Sequence, residues 1–63
     1  MIRDARWTEM VCRVETLRIS VHVNARFLET VPRGADAQTE ALVARERAEL
    51  AIAERELAAL EAA

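Results

Sequence analysis

Leu17-Arg18-Ile19-Ser20-Val21-His22-Val23-Asn24-Ala25-Arg26-Phe27 is the stretch whose reading decides the fold. Its odd positions are all apolar and its even positions all polar, and Ile19, Val21 and Val23 are β-branched. Taken alone, that alternation is a strand pattern. A longer window gives a second reading. Trp7, Met10, Val14, Leu17, Val21, Asn24, Leu28 and Val31 recur at steps of three and four, and all but Asn24 are apolar. That spacing draws one stripe along a helix.

Two arguments favour the helix. Positions 1–31 contain neither glycine nor proline, so nothing marks a hairpin turn inside them. A lone strand would also leave its backbone groups unpaired unless another chain supplied the partner. On a helix the alternation becomes a second apolar stripe, Cys12, Ile19, Val23 and Phe27, on the far side from the first. Between the stripes runs a polar strip of Glu15, Arg18, His22, Arg26 and Glu29. The alternative is a strand at 17–27 that pairs with its own copy across a dimer axis.

Outward from this stretch the chain has one punctuation mark. Val31-Pro32-Arg33-Gly34-Ala35-Asp36 holds its only proline and glycine. Proline steers Val31 away from helical geometry, glycine accepts a positive φ, and Asp36 is placed to cap a following helix. Beyond it, residues 37–62 are rich in Ala, Glu, Arg and Leu, strong helix formers. Val43, Leu50, Ala53, Leu57 and Leu60 form one stripe, widened by Leu42 and interrupted by Glu46. Ala41, Ala48, Ile52 and Ala59 form a weaker one on roughly the opposite side at ~100° per residue. The expected fold is all-α: a two-helix antiparallel hairpin in a single domain, 1–63, with helices at about 4–30 and 36–62 and a turn at 31–35.

A hairpin covers one face of each helix, and this chain has apolar residues on two. Its 63 residues also fall in the size range where a private core is marginal. One cysteine excludes an internal disulfide, and one histidine with one cysteine makes a poor zinc site. Association is the remaining source of stability. The expectation is a homodimer, two hairpins packed as a four-helix bundle, with the choice of intramolecular stripe left open. Asn24 lies inside the first stripe and is expected to set register, with its own copy or Glu46 as mate.

Charge agrees with antiparallel pairing. Residues 1–34 carry six arginines and four acidic groups, residues 35–63 three arginines and seven acidic groups. Arg6 and Arg13 flank the first stripe, and Glu46, Glu49 and Glu56 lie in or beside the second, so pairs across the hairpin are expected.

Catalytic chemistry is not signalled. Ser20 and His22 are the only serine and histidine, and two residues apart on a helix they point to different sides. No enzyme activity, cofactor or metal is expected. The net charge of −2 argues against a strong phosphate-binding surface. A paired strand at 17–27 would reopen a nucleic-acid reading, with Arg18, Ser20, His22, Asn24 and Arg26 facing the groove. No apolar run approaches the length of a membrane span, and the first residues lack a signal peptide's apolar core, so a cytoplasmic location is expected.

The expected function is therefore a protein–protein interaction module: a small homodimeric adaptor or inhibitor, of the kind phages and accessory elements carry. A structural subunit or co-chaperone of a larger assembly is the other protein-binding alternative. The residues expected to make contact are Trp7, Cys12, Arg18, Ile19, His22, Val23, Arg26 and Phe27, with Trp7 either an end plug of the hairpin or an anchor for the partner.

Overall fold

A computed structural model describes residues 3–63 and shows two helices, α1 (Ala5–Leu28) and α2 (Ala37–Ala62). They run antiparallel: Trp7 near the start of α1 meets Glu61 near the end of α2, and Ser20 meets Glu46. The molecule is a rod of 46 × 14 × 13 Å. Its radius of gyration, 14.4 Å, exceeds the roughly 11 Å of a compact chain of this length.

Local chemistry sets the ends of both helices. The Trp7 N–H donates to Asp4 Oδ1 at 3.0 Å, and the Thr8 hydroxyl donates to the Asp4 carbonyl at 3.1 Å. α1 stops two residues short of the expected end. The Thr30 N–H reaches back three residues to the Phe27 carbonyl at 2.9 Å, and the Thr30 hydroxyl donates to the same oxygen at 2.6 Å. These bonds tighten the last turn ahead of the proline. Gly34 then takes φ +82°, and the Ala35 N–H closes on the Pro32 carbonyl at 3.0 Å. Asp36 caps α2 through both carboxylate oxygens, accepting the Thr39 N–H at 2.9 Å and the Thr39 hydroxyl at 2.7 Å. Those bonds hold its carboxyl below the ordinary carboxylate pKa.

The strand at 17–27 does not form. α1 runs through the whole stretch, and no strand occurs among the described residues. The helix satisfies its backbone within the chain, whereas the strand needed a partner edge. The nucleic-acid reading that relied on that strand falls with it.

Packing also settles which stripe closes the hairpin. Val14, Leu17, Val43 and Ala53 are buried, and Leu50 and Leu57 pack against the cluster of Val14, Leu17 and Ala53. The rest of the Trp7-to-Val31 stripe is half-buried, while Cys12, Ile19, Val23 and Phe27 are exposed. The first stripe is the intramolecular seam.

Candidate interaction surface

The outer stripes form an exposed apolar surface on both helices. Ile19 is 63% exposed, Val23 58%, Phe27 46% and, on α2, Ile52 49%. Cys12 is a free, exposed thiol on the same side of α1 as this ladder.

The two flanks of the hairpin differ. With the seam residues written as heptad positions a and d, starting at Trp7 in α1 and Val43 in α2, antiparallel helices bring e beside e and g beside g. On the e flank Arg18 donates to Glu15 at 3.0 Å and to Glu54 of the opposite helix at 2.8 Å. These acceptors raise the guanidinium pKa further, the Glu54 bond most. On the g flank Cys12, Arg13, Thr16, Leu17 and Glu49 line a shallow groove, and Arg6 lines another with Glu56, Ala59, Leu60 and Ala63. Phe27 belongs to this g flank, Val23 and Ile52 lie one step outward at c, and Cys12 and Ile19 sit at the outer edge at f.

The expected ion pairs across the hairpin are not the ones formed. Arg18–Glu54 is the interhelical pair among the described residues. Arg13 and Glu49, and Arg6 and Glu56, share grooves without closing to ion-pair distance. Arg18 is held between Glu54 and Glu15, the latter one turn earlier on its own helix.

Trp7 is half-buried at the open end of the seam. Its indole N–H donates to Glu61 Oε2 at 3.1 Å, and the Arg3 guanidinium lies 4.6 Å from the ring centroid. That is the end-plug position, set apart from the ladder. Arg26 pairs with Glu29 at 3.5 Å. His22 is exposed between Arg18 and Arg26. Two of the three basic side chains of this strip are therefore matched to carboxylates, which weakens it as a phosphate-binding surface.

Asn24 is half-buried in the seam and does not bond Glu46 directly. Its amide donates to the Ser20 carbonyl at 2.9 Å and to the Ser20 hydroxyl at 3.3 Å. The Ser20 hydroxyl donates to Glu46 at 2.8 and 3.0 Å. Ser20 is thus the residue that sequence reasoning passed over. Its hydroxyl links the two polar interruptions of the seam, Asn24 and Glu46. The signal was present: Ser20 adjoins seam residue Val21, one turn before Asn24.

Among the described residues no group of three or more His, Cys, Asp or Glu side chains could hold a metal ion. No helix there is long and apolar enough to cross a membrane. Comparison with known protein families, characterised proteins and solved structures found no match.

Proposed function

We propose that this chain is a non-enzymatic protein-interaction module, a small homodimeric adaptor or inhibitor that acts by covering a surface of another protein. The observation that carries this reading is the ladder of Ile19, Val23, Phe27 and Ile52, each about half exposed or more on a hairpin whose seam is already filled. Contiguous exposed apolar side chains rimmed by polar residues mark a protein contact. Arg18, His22 and Arg26 border the ladder on α1 and supply orientation, with the dimer as the working unit in the cytoplasm.

The test is capture by immobilised protein, followed by reconstitution with the purified captured partner. Ile19→Asp should abolish binding to that partner while circular dichroism stays helical, because Ile19 contributes little to the seam. Equal binding by the wild type and Ile19→Asp would reject the reading. Loss of a salt-sensitive shift of a DNA probe in Arg18→Ala/Arg26→Ala would replace it with a nucleic-acid function.

A further inference from the structure

Phe27 on the g flank, with Val23 and Ile52 one step outward, leaves apolar surface there on both helices, and its occupant can be specified. We infer that a second copy of this chain seats there about a two-fold axis parallel to the helices, placing α1 of each copy over α2 of its partner. This rests on the interaction-module reading and deepens it by naming the contact that makes the dimer.

Area supports a second copy. Each chain exposes 4744 Å², whereas a compact protein of this mass exposes about 4,100 Å² and one of twice the mass about 6,800 Å². Joining two such rods into one compact body removes on the order of 2,700 Å² in total, more than the roughly 1,200–2,000 Å² of a standard stable interface. Side-by-side packing of two rods 46 Å long is the way to approach that figure.

Charge selects the arrangement. On the g flank α1 presents Arg6 and Arg13, while α2 presents Glu49 and Glu56. An axis perpendicular to the helices would lay α1 on α1 and α2 on α2, opposing like-charged halves. An axis parallel to them lays the basic flank of α1 on the acidic flank of α2, twice. Such an axis permits no sliding along the rod, so residues that are level within a hairpin are level across the dimer. The Trp7–Glu61 and Ser20–Glu46 bonds fix those levels. Interpolation at ~1.5 Å per residue puts Arg13 between the partner's Glu49 and Glu56. It also puts the partner's Ile52 over the small side chain of Thr16, and the partner's Leu42 beside Phe27. Ile19, His22 and Arg26 remain on the outside, available to the protein this dimer acts on.

Sedimentation equilibrium on the full chain tests this. The wild type should be a dimer at micromolar concentration. Ile52→Asp and Phe27→Asp should each weaken dimerisation by about 100-fold or more, the scale of desolvating a carboxylate in an apolar contact, with helix content retained. His22→Asp, on the opposite side of α1, should leave the mass unchanged. Arg13→Glu should weaken the dimer by about fivefold, the upper range of a rim ion pair, and Arg13→Glu/Glu49→Arg/Glu56→Arg should restore it. A monomer at 100-fold higher concentration, or disruption by His22→Asp but not Ile52→Asp, overturns the proposal. So does Arg13→Glu leaving the mass unchanged, as an α1-on-α1 contact would predict. A wild-type monomer that binds a purified partner in an Ile19-dependent way would reject the dimer alone, leaving the interaction reading intact.

Discussion

Val14 and Val23 carry the same side chain on the same helix, and the structure assigns them opposite roles. Val14 is 1% exposed and Val23 58%. Truncating Val14 to alanine removes two buried methyl groups, about 1.6 kcal/mol at ~0.8 kcal/mol each. The cavity left in an incompletely relaxing seam adds about 0.5–1 kcal/mol, and alanine's better helix propensity returns about 0.5 kcal/mol. The net loss is about 2 kcal/mol, a large share of the roughly 3–9 kcal/mol available to a domain of this length. For Val23→Ala the same reasoning gives about 0.7 kcal/mol for the part of the side chain already covered, nearly cancelled by the propensity gain. Urea unfolding followed by far-ultraviolet circular dichroism, at a concentration low enough to keep the chain monomeric, measures both. Equal losses would refute the assignment of the Trp7-to-Val31 stripe to the seam. Repeating the series where the wild type is dimeric should leave the Val14 effect in place and bring out a loss at Val23.

The remaining predictions concern the turn and the polar cluster. Asp36 has a depressed pKa, so its capping contribution is fully present above the ordinary carboxylate value of 3.8 and is lost as pH falls through the folded value. Asp36→Asn, which keeps an acceptor for the Thr39 N–H, should flatten the decline of thermal stability below pH 4 relative to the wild type; an unchanged acid limb would mean other carboxylates control it. Gly34→Ala meets no atom within 4 Å, so the strain of φ +82° acts alone and should cost about 1 kcal/mol in urea unfolding. Replacing the seam's polar cluster (Ser20→Ala, Asn24→Leu and Glu46→Leu together) should raise the melting temperature while giving more than one set of amide resonances; a single sharp set would show that the cluster does not specify register.

Much of this architecture was legible because its signals are local. The glycine, the proline and the Asp36 cap fall within five residues, and the seam's three-and-four spacing survives a competing alternation because backbone satisfaction decides between them. The choice of seam over outer stripe was not legible, since both are apolar and only packing against α2 separates them. The interhelical ion pair was not legible either, because Arg6, Arg13 and Arg18 all lie beside the seam and only the packing of the helices shows that Arg18 reaches Glu54. Ser20 escaped notice because a hydroxyl is informative only once its partner on the other helix is known.

That hydroxyl bears on how so thin a hairpin holds one register. The apolar stripe of α2 nearly repeats when shifted by seven residues: Val43 takes the place of Leu50, Leu50 of Leu57, and Ala53 of Leu60. Hydrophobic pairing alone therefore discriminates weakly between the native register and a slip of one heptad. Glu46 breaks the near-repeat. In the native register its carboxylate meets the Ser20 hydroxyl, itself bonded to Asn24. Slipped by a heptad toward the end of α1, Glu46 would instead lie level with Phe27, which has nothing to donate to it; slipped the other way it would lie level with Arg13, whose guanidinium could pair with it. An unsatisfied, partly buried acceptor costs about 1–3 kcal/mol, more when charged, comparable to a fully buried valine of the core. Three polar residues in a seam that leucine would stabilise thus make the slip toward Phe27 worse. A defined register is also what the proposed dimer requires, because its facing residues are set by the levels that Ser20 and Glu46 hold.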